Sequence, residues 1–511
     1  MAKTCFRLGK ILFPTFKIQE HSSKYYELKG KCVMSIHLSR RNFHQLLGAG
    51  ALCASLNMLQ TGRAKANSTA DASDAGAANQ RIPDESIMSK EYLNFWNSDV
   101  QQEIDEKIEK YRKADAKFTL ENAAPGTEVC VRQLSNQFRF GSNIFLLGQL
   151  GSPERNQRYA NLFGPLFNSA SVAFYWKTME PEPGKPRYTM TEKDRPEYWA
   201  SLAEPWNEPH WRRPPTDFVV DFLEKRGLNI HGHAIIYGMR RWGHPEWMPE
   251  DRKAMEPLFE KRVRELAERY GSRIHEWDVV NECINQANRG LMPDDYTFKT
   301  FEWAKKYFPE SVRLSANECD MSWGPNRRYV EIVRDLIDRG AKVDLTGVQM
   351  HIFSMPKSQK IADGEDSHTP EKLNAVLDTL VETERPLHVS EITISAPSDD
   401  EKGRMIQAIL ARNIYRLFFA HQHVDAVTWW NAIDGGAAPG EPTISGLLDT
   451  NLKKKPVWFA LDQLLNHEWK TNLTVHADAN GNVQFRGFRG KYQLSWTDKN
   501  GQKQEMICMV Q

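Results

Sequence analysis

The sequence predicts an α/β protein: a (β/α)8 TIM barrel with a small accessory β-sandwich formed from N- and C-terminal segments. Three observations predict it. Short apolar runs alternate with amphipathic segments eight times between Phe138 and Trp469, the pattern of buried parallel strands joined by helices. Two of those runs end on a glutamate, Trp277-Asp278-Val279-Val280-Asn281-Glu282 and Pro386-Leu387-His388-Val389-Ser390-Glu391. In such a barrel, that end of a strand is where side chains meet a ligand. Finally, the chain before Phe138 and after Trp469 is β-like and punctuated by Asn480-Gly481 and Asn500-Gly501, both strong hairpin signals.

In chain order, residues 1–66 read as a leader. Ser39-Arg40-Arg41-Asn42-Phe43 precedes a mildly apolar run from Leu46 to Ala54, then Ala64-Lys65-Ala66, a small-x-small cleavage pattern. This is the layout of a twin-arginine export signal, and Met34 would give it a conventional length. Residues 67–90, rich in Ala, Ser, Asp and Asn, read as a disordered linker. Residues 91–137 are an N-terminal helix and β segment: Ile104, Ile108 and Tyr111 have helical spacing, and Lys117–Leu120 and Glu128–Leu134 flank the turn Ala124-Pro125-Gly126. The barrel occupies 138–467. Its expected strands are Phe138–Phe145, Ser169–Tyr175, Ile230–Tyr237, Ile274–Asn281, Val312–Asn317, Leu345–His351, Leu387–Ile392 and Ala426–Asn431. Between them lie helical segments that stop at signals such as Arg226-Gly227 and Arg339-Gly340. A doubly wound sheet is disfavoured because no Gly-rich phosphate loop follows the first strand. Residues 468–511 form the C-terminal β segment. Its four short strands bury little alone, so they are expected to pair with Lys117–Leu134.

Composition narrows the function classes. Lys+Arg at 67 against Asp+Glu at 66 gives no net field to attract nucleic acid or acidic lipid. The leader's apolar run is too short and Gly-rich to span a membrane, so the mature form is expected to have no membrane span and to be exported, to the periplasm or the outside. Cys130, Cys283, Cys319 and Cys508 remain after export, without CxxC or Cys/His metal spacing. Cys283 and Cys319 are expected to be separate buried thiols. No metal or cofactor is expected. Fifteen tryptophans suit core packing and equally suit a cleft that stacks on sugar rings. Lys453-Lys454-Lys455 reads as a solvated approach to the last helix.

Several motifs occur in a fixed order: Phe138-Arg139-Phe140-Gly141, Tyr159-Ala160-Asn161-Leu162-Phe163, Glu180-Pro181-x-x-Gly184, Gly232-His233, Trp277–Glu282, Gly347-Val348-Gln349-Met350-His351, Ser390-Glu391 and Trp429-Trp430. Together they resemble glycoside hydrolase family 10, best known for retaining endo-β-1,4-xylanases. The resemblance covers about residues 138 to 467. It implies hydrolysis with retention, Glu282 as general acid/base and Glu391 as nucleophile. It also implies that Asn281 bonds the sugar 2-hydroxyl, His233 contacts sugar hydroxyls and His351 holds the nucleophile. Trp430 would form an aromatic floor under the reactive sugar, with Gln349 and Trp176 in supporting positions. The physical logic agrees, since a retaining site needs two carboxyl groups about 5–5.5 Å apart, one protonated and one ionised. A positioned imidazole at His351 is expected to favour the ionised nucleophile.

The chain also departs from the family pattern. Where family members carry a Glu-Asn pair and a Lys that grip the sugar before the cleavage point, this sequence has Ser171, Val172 and Tyr175. The usual Trp-His after Gly232-His233 is Tyr237-Gly238, the acid two after the nucleophile is Thr393, and Asn-Asp-Tyr is Asn317-Glu318-Cys319. The sequence thus points to an exported retaining β-glycoside hydrolase acting on xylan or a related β-1,4-linked polysaccharide. Its partners would be that polysaccharide or its oligosaccharides and, for the precursor, the twin-arginine machinery. The alternatives are a carbohydrate-binding protein on a degenerate barrel, or a β-glucanase or transglycosylase of the same fold.

Overall fold

The computed structural model describes residues 84–202, 213–284, 290–318, 324, 326–438 and 440–511. The leader, the linker up to residue 83 and Cys319 lie outside the described residues. Among the described residues fifteen strands run in chain order: β1 Lys113–Thr119, β2 Glu128–Asn136, β3 Arg139–Asn143, β4 Ser169–Ala173, β5 Asn229–His233, β6 Ile236–Tyr237, β7 Glu276–Asn281, β8 Arg313–Glu318, β9 Leu345–Ile352, β10 Leu387–Ile394, β11 Val424–Trp429, β12 Asn472–His476, β13 Asn482–Phe488, β14 Gly490–Thr497 and β15 Lys503–Val510.

Strands β3 to β11 form a closed parallel barrel in the order β5-β4-β3-β11-β10-β9-β8-β7-β6, with β5 also pairing β7. The near-continuous apolar runs follow from this layout: every residue of β4, β7 and β10 is buried, because the barrel interior covers one face of a strand and helices the other. Helices at Thr216–Lys225, Arg252–Tyr270, Tyr296–Tyr307, Arg327–Asp338, Pro370–Val381, Glu401–Ala420 and Pro456–Asp462 stand where the apolar spacing places them. Four of these seven starts, after Asp251, Asn326, Thr369 and Asp400, carry a side-chain cap. Asp400, for example, accepts a hydrogen bond from Gly403 N at 2.8 Å.

Both ends of the described chain build the accessory module. β1 pairs antiparallel with β13, and β12-β2-β14-β15 form a four-stranded antiparallel sheet. Val129, Val131, Val483, Phe485, Tyr492, Leu494 and Trp496 form a second hydrophobic core, separate from the barrel's. The Asn-Gly turns supply the left-handed backbone that the hairpins need, with φ +76° at Gly481 and +80° at Gly501.

Three expectations change. The third barrel strand is two segments, β5 and β6: Ala234 and Ile235 leave the β-ladder, and Ile235 N bonds Asp278 O at 2.9 Å instead. Lys455 is buried and paired with Asp434 at 2.9 Å; the charge run supplies one interior ion pair. The last residues of the expected linker, 84–90, are ordered: Asp84–Ser86 is a turn of 3-10 helix, Ser89 caps the next helix, and Asp84 pairs with Arg412.

Gly232 on β5 shows how tightly the barrel is packed. A Cβ there would sit 2.3 Å from Cε3 of Trp277, whose ring is fully buried with Phe174 at 4.5 Å and Phe308 at 5.5 Å between centroids. An indole so enclosed has nowhere to move. Gly232→Ala is therefore expected to cost at least ~2 kcal/mol, measured as a lower urea midpoint at unchanged slope.

Candidate active site

Strand β7 delivers Glu282 and strand β10 delivers Glu391. Each ladder breaks register just before its glutamate, between Asp278 and Val280 on β7 and between Val389 and Glu391 on β10. Such irregularities bend a strand and re-aim its side chains, and they gather beside active sites. Glu282 also holds a left-handed backbone, φ +55°, rare for a residue with a Cβ and costing of order 1–2 kcal/mol. Both carboxyl groups are buried.

Amide side chains link the two. Asn317 Nδ2 donates to Glu391 Oε1 at 3.2 Å and to Asn281 Oδ1 at 2.8 Å. Gln349 Nε2 donates to Asn281 Oδ1 and to Glu282 Oε1, both at 3.2 Å. Glu282 Oε1 also accepts from Tyr237 OH at 2.8 Å and from Asn281 Nδ2 at 3.4 Å. Ser390 Oγ in turn donates to Asn317 Oδ1 at 2.6 Å, fixing its amide orientation. The far side of Glu391 meets two imidazoles: His233 Nε2 is 3.6 Å from Oε1, and His351 Nε2 is 3.4 Å from Oε2.

Below the pair lies a buried ion network. His231 Nε2 and His233 Nδ1 each lie 2.7 Å from Asp278 Oδ2, and His231 Nδ1 lies 2.9 Å from Glu276 Oε1. Glu276 also pairs with Arg139 and with Arg313, the latter at 3.3 Å. Burial pushes the His231 pKa down, but Asp278 and Glu276 outweigh it and carry it up to about 10. Burial likewise raises Asp278, but His231 and His233 reverse this and hold it below the ordinary carboxylate range. His231 is thus a cation between two anions. His231, Glu276 and His388 lie close enough to hold a metal ion, as do His231, His233 and Asp278, but the carboxylates already have cationic partners in His231 and the two arginines.

Glu391 departs from expectation. Burial, reinforced by Glu282, Asp278 and Glu441 and opposed by His233, pushes its pKa up to about 8. His351 does not act as the expected charge partner, because burial drives its own pKa down to about 4 and leaves the ring neutral. Its Nδ1 faces Thr393 Oγ1 at 3.0 Å, a hydroxyl where the resemblance expects an acid that would hold a proton on the ring. A carboxyl whose folded pKa stands near 8 against an ordinary 4.5 binds more protons folded than unfolded across that window. Its contribution to stability is therefore lost as pH rises from about 4.5 to about 8. Glu391→Gln, which cannot ionise, is expected to gain ~2–4 kcal/mol over the native chain above pH 8 and little below pH 4.5. Thermal midpoints of both chains across pH 4–9 measure the divergence.

The structure thus brings together Asn281, Glu282, Gln349, His233, His351 and Glu391. Trp430 stands beside them, its ring 5.5 Å from His233 and 5.1 Å from Phe145. Trp176 faces elsewhere: its indole donates to Glu180 Oε2 at 2.6 Å and packs on Trp247, Phe259 and Arg262. Its role is to brace the Glu180-Pro181 turn. The sequence reading named Asn317, Tyr175 and Tyr237 only as departures from the family pattern or beside them, and gave Asp278 no role. Tyr175 OH lies 3.0 Å from His233 Nε2. Asn317, next to last in β8, pairs Asn281 at the end of β7, and its place near that strand end was its available signal.

The family model for Glycosyl hydrolase family 10 matches residues 185–464, more than half of the 511-residue chain. Among curated relatives, endo-1,4-beta-xylanase B of Paenibacillus barcinonensis is 24% identical over 43% of this chain and 70% of its own. Anti-sigma-I factor RsgI6 of Acetivibrio thermocellus is 23% identical over 55% of this chain, which spans about a third of that relative, 34%. Native xylanase 10B from Thermotoga maritima superposes with a TM-score of 0.50 at 18% identity, covering 65% of this chain and 96% of its own; at that identity it shows the shared barrel fold. The carboxylate pair, the ordered motifs around it and the matched span place this chain in glycosyl hydrolase family 10.

Proposed function

We propose that the protein is an exported retaining β-glycoside hydrolase that cuts xylan or a related β-1,4-linked polysaccharide within the chain. Glu391 is the nucleophile and Glu282 the general acid/base. The observation that carries this reading is the pair of buried carboxyl groups on different strands, joined through Asn317, Asn281 and Gln349. Glu282 protonates the glycosidic oxygen as Glu391 attacks the anomeric carbon and the carbon–oxygen bond breaks. Water then gives its proton to Glu282, and its oxygen displaces Glu391 from the ester. In the first step Glu391 must be ionised and Glu282 protonated, so the proton that burial favours on Glu391 has to move before the attack. The amides between the two glutamates hold their carboxyl groups in place for that exchange.

The endo-1,4-beta-xylanase relatives support xylan as the first substrate to try. The changed grip residues, Ser171, Val172 and Tyr175, favour a decorated or altered sugar before the cleavage point. The twin-arginine pattern at Ser39–Phe43 supports export; among the described residues no helix is long and apolar enough to cross a membrane. A panel of β-1,4-linked xylans, glucans and mannans, scored for reducing ends and product anomer, tests the reading. Retained β-anomer from one of them supports it, and inverted product or no release from any contradicts it.

A further inference from the structure

The geometry points to Tyr237 as a positioning residue for the acid/base, one that fixes which Glu282 oxygen delivers the proton. This rests on the proposed acid role of Glu282 and adds a residue that the family pattern places as Trp. Tyr237 is the last residue of β6, and the register sets it beside Asn281: Ile236 pairs Val280 and Tyr237 pairs Asn281. Gly238 N then bonds Asn281 O at 2.6 Å. This close approach needs a glycine, because a Cβ at 238 would lie 2.2 Å from Glu282 O. The Tyr237-Gly238 pair therefore acts as a unit. The glycine lets the strand segment dock on the backbone of Glu282, and the tyrosine reaches the carboxyl group.

The ring itself is held. Gly243 packs against Tyr237 Cβ so closely that its own Cβ would sit at 2.3 Å, and the Tyr175 ring lies 5.8 Å away. Burial, and then the neighbouring Glu282, raises the phenol pKa far above its ordinary value. The hydroxyl therefore keeps its proton and serves as a donor. Among the described residues all three donors to Glu282, Tyr237 OH, Gln349 Nε2 and Asn281 Nδ2, meet Oε1. A proton on Oε1 would oppose all three. The acid form of Glu282 therefore carries its proton on Oε2, which gives it to the glycosidic oxygen and recovers one from water in the second step. Tyr237 exchanges no proton in either step; it holds Oε1 so that Oε2 faces the leaving group.

Acid assistance matters in proportion to the basicity of the leaving group, which gives a signature that a packing defect would not. Tyr237→Phe and the native enzyme are compared on aryl β-glycosides of the sugar that the polysaccharide panel identifies, from 2,4-dinitrophenyl to 4-methylphenyl. The expected result is a loss in kcat/KM of about 10–100-fold for the 4-methylphenyl glycoside that shrinks by about tenfold at the dinitrophenyl end. The alkaline limb of the kcat/KM pH profile, where Glu282 loses the proton it must donate, should shift, and circular dichroism should stay unchanged. An equal loss across the series, or none, overturns the role. Glu282→Ala is run beside it. If Glu282→Ala shows the leaving-group signature and Tyr237→Phe does not, the Tyr237 inference fails alone; if Glu282→Ala lacks it, the acid/base assignment beneath it fails.

Discussion

Glu391→Ala is expected to lower turnover by at least about 10⁴-fold, the scale on which removing a covalent nucleophile acts, while the chain stays folded. The shortened side chain removes the carboxyl group that forms the glycosyl ester in this reading, and neither adjoining imidazole can replace it. His233 and His351 approach the same carboxyl group from 3.6 and 3.4 Å, but Asp278 and Thr393 hold their outer nitrogens. Folding should survive because the residue sits where the barrel pays for function. Its buried carboxyl carries a raised pKa, so deleting it relieves a penalty, as stabilised active-site variants commonly do. Reducing-end release together with the thermal midpoint checks both halves. An inactive but unfolded variant would say nothing about chemistry, which is why Glu391→Gln, nearly isosteric, is measured with it.

Glu282→Ala is expected to cost about 10²–10⁴-fold on polysaccharide, the usual contribution of a general acid/base. Its effect should differ in kind. With an activated aryl glycoside the first step needs no acid, so the glycosyl ester forms and accumulates because water lacks a base. Azide, a nucleophile that needs no base, should then restore turnover and yield a β-glycosyl azide. No such rescue with the β-anomer is expected for Glu391→Ala, where no ester forms. The contrast separates the two carboxyl groups by role. The left-handed backbone at Glu282, φ +55°, adds a structural effect. Alanine tolerates that conformation poorly, so Glu282→Gln serves as the control for local rearrangement.

The barrel strands were legible because short segments centred on apolar residues recur between amphipathic stretches, and burial on both faces keeps even their polar members inside. Observed bounds differ from expected ones by a few residues, as with Ile274–Asn281 against β7 at Glu276–Asn281. The terminal strands were legible from the Asn-Gly turns, and their pairing across the chain followed from how little four short strands can bury alone. The break between β5 and β6 was not legible, since Ile230–Tyr237 reads as one continuous run. Nor was the burial of Lys455, because a run of three lysines looks solvated whichever of them turns inward. Within the site, chain order and strand ends marked Glu282 and Glu391, but hydrogen bonds between strands decide the rest. Asn317 bridges two strands, and Asp278 holds two histidines from β5; such partners belong to the barrel's closure, which no local pattern encodes. Trp176 shows the converse: motif position suggested the cleft, whereas its indole turns to Glu180. The Thr393 departure was visible in the sequence, but its effect became clear only with the neutral, buried His351.

A mechanism-based 2-deoxy-2-fluoro glycoside with a dinitrophenyl leaving group tests the central claim most directly. Incubated with the native protein and followed by proteolysis and mass spectrometry, it should leave one glycosyl adduct on the peptide that contains Glu391, absent in Glu391→Gln. An adduct on any other residue, or turnover of the reagent to inverted product without an adduct, would contradict the account.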